Sequence, residues 1–71
     1  MNLQDIRRRL EHGFRPFVVR NSDGREFKVP HREFVFLTKR SVIIADDEGY
    51  VDILDPLHIA SLREVNDLPT G

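Results

Sequence analysis

Phe17-Val18-Val19-Arg20-Asn21-Ser22-Asp23-Gly24-Arg25-Glu26-Phe27-Lys28-Val29 reads as two alternating runs joined by a turn. Successive side chains of a strand point to opposite faces, so Phe17 and Val19 face one way and Val18 and Arg20 the other. After the turn Phe27 and Val29 point inward, Glu26 and Lys28 outward. Asn21-Ser22-Asp23-Gly24 is dense in turn formers, and the Asp-Gly pair predicts a two-residue hairpin turn at positive φ.

Upstream the period is helical. Asn2 is placed to accept backbone N–H groups as an N-cap, with Asp5 three residues on at the position of the reciprocal acid of a capping box. Leu3, Ile6 and Leu10 form one apolar stripe, and Gly13 and Pro16 end the helix, which is expected over roughly residues 3–12.

Downstream, Pro30 ends or bends the second strand because it offers no N–H to a ladder. Phe34-Val35-Phe36-Leu37 and Val42-Ile43-Ile44-Ala45, separated by Thr38-Lys39-Arg40-Ser41, read as a second hairpin of buried central strands. Asp46-Asp47-Glu48-Gly49 is the next turn, Tyr50–Leu54 a fourth strand, and Asp55-Pro56 its end. Residues 57–65 fit either a tight helical turn followed by a last strand or a short helix.

The expected fold is therefore α+β and mainly β: an N-terminal helix, then a four- or five-stranded, strongly bent, small-barrel-like antiparallel sheet. Residues 1–65 are expected to form one domain and 66–71 a flexible C-terminal tail. Short connections imply that strands adjacent in sequence pair with each other.

Size and composition limit the function. With 71 residues and no cysteine there is room for one core and no disulfide to support it. A sheet whose middle strands are apolar on both faces, with one helix to cover it, must curl on itself or pair with another copy. A homo-oligomer, formed through a sheet edge or an uncovered sheet face, is the leading expectation. No apolar run approaches the roughly 20 residues of a membrane span, and no signal peptide opens the chain, so a cytoplasmic protein without membrane contact is expected.

Net charge is −1, which is no global sign of nucleic-acid binding. Its distribution is uneven: residues 1–40 carry +5 and residues 41–71 carry −6. Arg7, Arg8, Arg15, Arg20 and Arg25 are the candidate nucleic-acid contacts, with Phe14 or Phe17 available to stack a base.

His12, His31 and His58 are scattered, without thiolates or ligand spacing, so no metal or other cofactor is expected. Asp46-Asp47-Glu48 lacks the spacing of a calcium loop and reads as a solvated turn. No nucleophile–base set, phosphate loop or acid pair stands out, and the chain is not expected to be an enzyme. His31, Arg32 and Glu33, at the bend after Pro30, are the candidate contacts for a protein partner. His58, between Leu57 and Ile59, reads as a partly buried structural histidine.

Phe14-Arg15-Pro16-Phe17, Asp23-Gly24-Arg25, Val29-Pro30-His31-Arg32-Glu33-Phe34 and Leu57-His58-Ile59 together resemble a family of short bacterial proteins of unknown function. That family's pattern is Phe-x-Pro-Phe, Asp-Gly-Arg, Val-x-His-Pro-Glu-Phe and Leu-x-His-Ile, and Arg32 stands at its proline position. The resemblance, over about residues 3–62, implies a complete domain and no particular activity. The order of helix and strands also resembles Sm-type and SH3-like small barrels. Their uridine-pocket motifs, Asp-x-x-x-Asn and Arg/Lys-Gly, have no match here. Two functions follow as expectations: a non-catalytic interaction module working through self-association or a protein partner and, as the alternative, a small-barrel RNA- or DNA-binding protein.

Overall fold

In a computed structural model, which describes residues 2–11 and 13–65, the chain opens with helix α1, Leu3–Glu11. Asn2 caps it as its chemistry predicts: its Oδ1 accepts the Gln4 N–H at 2.8 Å and its carbonyl accepts the Asp5 N–H at 3.1 Å. Ile6 and Leu10 are buried on the stripe, Leu3 is partly so, and Arg8 and Arg9 sit in the last turn at the negative end of the dipole. The helix position at His12 and the tail at 66–71 lie outside the described residues.

Six antiparallel strands follow: β1 Phe17–Asn21, β2 Glu26–Val29, β3 Val35–Leu37, β4 Val42–Ala45, β5 Val51–Leu54 and β6 Ile59–Glu64. The mainly-β α+β class is as the periodicities imply. The count and the closure are not: among the described residues there are six strands rather than four or five, and they form two three-stranded sheets, β2-β1-β6 and β3-β4-β5, not joined into a barrel.

The reason lies in two proline corners. Pro30 ends β2, and a 3-10 turn at Arg32–Phe34 carries the chain across to the second sheet. Asp55-Pro56 returns it through a 3-10 turn at Pro56–His58, where Asp55 Oδ1 accepts the Leu57 N–H at 2.9 Å. The ambiguous segment 57–65 is thus a helical turn followed by a strand. β6 then pairs with β1, far away in sequence, instead of its neighbour β5, with Val19 opposite Leu62 and a register shift at Arg20/Asn21.

The β1–β2 hairpin keeps the predicted register, Phe17 opposite Val29 and Val19 opposite Phe27, but its turn differs from the two-residue form. Among the described residues only glycines have positive φ, Gly24 at 90°, so Asp23 does not take the left-handed conformation that such a turn demands. The loop is Ser22-Asp23-Gly24. The Asn21 carbonyl accepts the Gly24 N–H at 2.9 Å, and the Asn21 N–H donates to the Arg25 carbonyl at 2.9 Å. Glycine closes such a three-residue loop because it has no Cβ to clash at positive φ.

The core lies between the sheets. Phe17, Val19, Phe27 and Val29 face Val35, Val42, Ile44 and Leu54, while Ile6 and Leu10 close one side and Ile59 joins from β6. Val18, on the opposite face of β1, is buried as well. Its cross-strand neighbours are Lys28 and Arg63, whose methylene stems have the length to cover it.

Candidate interaction surfaces

The second sheet departs from the expectation of central strands buried on both sides. Val42 and Ile44 of β4 are buried and Ile43 and Ala45 are not fully so, giving the alternation of a sheet with one covered face. The register aligns Phe36 with Ile43 and Ile43 with Ile53, which sets an apolar row across all three strands on the uncovered side. Ala45 opposite Val51 begins a second row on the same side. In this face Phe36 is 64% exposed, Ile53 71% and Val51 55%. No charged side chain interrupts it, since Asp52 alternates to the other side, where it meets Arg25 at 3.7 Å.

Charges gather instead at the two ends of this sheet. At one end the β3–β4 turn is held by Thr38, whose Oγ1 accepts the N–H groups of Arg40 at 3.2 Å and Ser41 at 2.9 Å. Lys39 and Arg40 are exposed in that turn. At the other end the β4–β5 turn is held by Asp46, whose Oδ1 accepts the N–H groups of Glu48 and Tyr50, both at 2.9 Å. Asp47 and Glu48 are exposed there.

A second surface runs along β2, where a groove of about 600 Å³ is bounded by Phe27, Lys28, His31, Phe34, Ile44 and Asp47. The predicted partner contact His31 stands in it, its ring edge-on to Phe34 at 5.6 Å. Arg32 and Glu33 are exposed in the adjoining 3-10 turn. Arg32 Nη1 donates to the Val35 carbonyl at 2.9 Å and so ties the corner to β3. Arg25 also lines the groove, with its guanidinium over the Phe27 ring at 5.1 Å.

The five candidate nucleic-acid contacts do not converge on one site. Arg8 and Arg15 line a shallow cleft together with Asp5, Arg9 and Glu64. Glu64 accepts ion pairs there from Arg15 at 3.6 Å and Arg9 at 3.9 Å. Arg7 is exposed on α1, Arg20 lies opposite Glu26 on the outer side of the first sheet, and Arg25 belongs to the β2 groove. Arg25 pairs with Asp52 and Arg20 has Glu26 as its cross-strand neighbour, so with Glu64 two carboxylates of residues 41–71 offset part of the +5 of the N-terminal half.

His58 corrects an expectation: it is exposed rather than partly buried, and its contribution is through its backbone. Its carbonyl accepts the Ser22 N–H at 2.7 Å, linking the second 3-10 turn to the first hairpin loop. Among the described residues no three His, Asp or Glu side chains are grouped so as to hold a metal ion, and no helix is long and apolar enough to cross a membrane.

Comparison with protein-family models, curated proteins and solved structures finds no match for this chain. The functional reading therefore rests on its own surfaces. Of these, the apolar face of β3-β4-β5 was missed residue by residue in the sequence. The available signal was the uninterrupted apolar run in β3 and in β4, which means two apolar faces and hence one without a core to enter.

Proposed function

We propose that this protein is a non-catalytic interaction module and that it works by self-association through the outer face of β3-β4-β5. The observation that carries this reading is the outward row of exposed Phe36, half-buried Ile43 and exposed Ile53, with exposed Val51 beside it. Contiguous exposed apolar patches rimmed by polar residues mark interaction sites. Removing a large apolar side chain from water contributes about 1.5–3 kcal/mol when burial is complete. Several such side chains on one rigid sheet give a surface able to offset the entropy of association.

The experiment is light scattering and sedimentation on the purified chain at micromolar concentration, with Ile53→Asp alongside. The wild type is expected as a dimer or larger. Ile53→Asp is expected as a folded monomer, because a charge within the apolar row must be desolvated on docking. A wild-type monomer across that range, or an Ile53→Asp oligomer with unchanged affinity, refutes the reading. Adding RNA or DNA oligonucleotides to the same samples tests the alternative. Binding that falls steeply with salt would place the arginines, not the apolar face, at the centre of function.

A further inference from the structure

The outer face of β3-β4-β5 has a basic turn at one end of its strands and an acidic turn at the other. Lys39 and Arg40 project from the turn at one end, and Asp47 and Glu48 from the turn at the other. Each turn is pinned by its first residue, Thr38 or Asp46, so each pair of charges is carried on a fixed backbone. None of the four takes part in the ion pairs found among the described residues, which use Arg9, Arg15, Arg25, Asp52 and Glu64. Asp55 also lies at the basic end, where it lowers the +2 of Lys39 and Arg40 to +1 without reversing the sign; its carboxylate accepts the Leu57 N–H. The acidic end, Asp46, Asp47 and Glu48, has Arg32 and Glu33 beside it, one charge of each sign, and Asp47 also borders the β2 groove with Lys28 and with Arg25, which pairs with Asp52.

Between these ends the face is apolar. A surface of this kind is complementary to itself. We infer that it is covered by a second copy of this chain, docked face to face about a two-fold axis that lies in the interface, parallel to the sheet and across its strands. This inference rests on the self-association reading and adds its geometry.

Symmetry carries the argument. A closed pair of identical chains uses the same patch twice, and face-to-face contact requires the two-fold axis to lie in the interface. An axis along the strands sets Lys39-Arg40 over its own copy and Asp47-Glu48 over its own copy, which is repulsive at both ends. An axis across the strands reverses the strand direction between copies, so that each basic turn covers the partner's acidic turn. The charges then meet twice, at opposite ends of a dry apolar centre. Sheets packed face to face keep their strands within about 30° of alignment, which leaves the ends in register for these contacts. Charges at an interface rim contribute to orientation and exclude wrong arrangements more than they add affinity.

The test is a charge swap read by sedimentation equilibrium, using wild type, K39E/R40E and K39E/R40E/D47K/E48K. All four positions are exposed, and the turn bonds there are made by backbone groups and by Thr38 and Asp46, so the variants should fold. In the inferred arrangement K39E/R40E sets acid over acid at both ends and weakens the dimer by roughly tenfold. The fourfold variant sets base over acid again and returns to within about threefold of wild type. Added salt should weaken the wild type, whose ends attract, and relieve K39E/R40E, whose ends repel.

Equal constants for all three proteins, or a fourfold variant as weak as K39E/R40E, overturn the docking direction and leave face-mediated association standing. A wild type that stays monomeric while Ile53→Asp behaves identically overturns both. In the axis along the strands the fourfold swap leaves like charges over like, so rescue is the result that separates the two arrangements.

Discussion

At Asn21–Arg25 and at Asp46–Tyr50 the chain turns in the same way. The carbonyl of the first residue accepts the glycine N–H, at 2.9 Å from Gly24 and 3.1 Å from Gly49, and the first N–H donates to the fifth carbonyl, at 2.9 Å in both loops. Both glycines sit near φ 90°. Yet the outer side of the first hairpin carries Arg20, Glu26 and Lys28, and that of the second carries Ala45, Val51 and Ile53. The turn device sets where the strands pair. What lies outward in the strands assigns one hairpin to water and the other to a partner, and the two choices are independent because alternate residues serve opposite faces.

The comparison breaks most completely if the shared core is emptied. Phe17 is fully buried on the inner side of β1, and Phe17→Ala should cost about 3–5 kcal/mol, from lost transfer energy and the cavity left behind. A core of this size rarely supplies more than about 3–5 kcal/mol in total, so circular dichroism should find the variant largely unfolded at 25 °C. Native-like ellipticity with a cooperative melt would mean that the interface or the helix, not the intersheet core, holds the fold.

The next effect tests whether the turns are equivalent. A Cβ at Gly24 or Gly49 meets nothing within 4 Å, so the cost of a side chain there is backbone strain alone. Gly24→Val and Gly49→Val should each lose about 1–3 kcal/mol in urea denaturation, the range for a residue forced into sparsely populated φ/ψ space. Arg8→Ala, on the exposed side of α1, should lose less than about 0.5 kcal/mol. A Gly24→Val midpoint equal to that of Arg8→Ala would remove the loop geometry on which the β1–β2 register depends.

Local features were legible in the sequence, and long-range ones were not. Asn2, the Leu3-Ile6-Leu10 stripe and the Phe17–Val29 alternation act over a few residues, and each is where its pattern put it. The pairing of β6 with β1 depends on two corners bringing Ile59–Glu64 back to the start of the sheet, which no local period encodes. The same gap explains the apolar face. Phe36 and Ile44 look alike in a run of hydrophobic residues, and only the placement of the first sheet decides that Ile44 is covered and Phe36 is not. The bend after Pro30 marks His31, Arg32 and Glu33 as partner contacts without showing what lies around them, and of the three His31 lies in the β2 groove.

The smallest effect concerns the first residue of each loop, where the two hairpins differ in chemistry at one matched position. Asp46 Oδ1 is exposed and accepts two backbone N–H groups, whereas Asn21 Oδ1 is buried and finds no hydrogen-bond partner in the protein. In the first loop the equivalent service passes to Asp23, whose Oδ1 accepts the Arg25 N–H at 3.0 Å. Asp46→Ala therefore removes two charge-assisted bonds from a turn and should cost about 1 kcal/mol, as for the loss of a side-chain cap. Asn21→Ala removes an acceptor that has been desolvated without return, and such a group costs stability while it remains buried. Its replacement should change the urea midpoint by an equivalent of less than about 0.5 kcal/mol, because the loss of packing and the relief of desolvation oppose each other. The backbone bonds of residue 21, to Gly24 and Arg25, survive the substitution. Matched urea titrations of the two alanine variants check the asymmetry. A cost at Asn21 equal to that at Asp46 would mean that the Asn21 amide is bonded in solution, and the two loops would then be alike in their side chains as well as in their backbones.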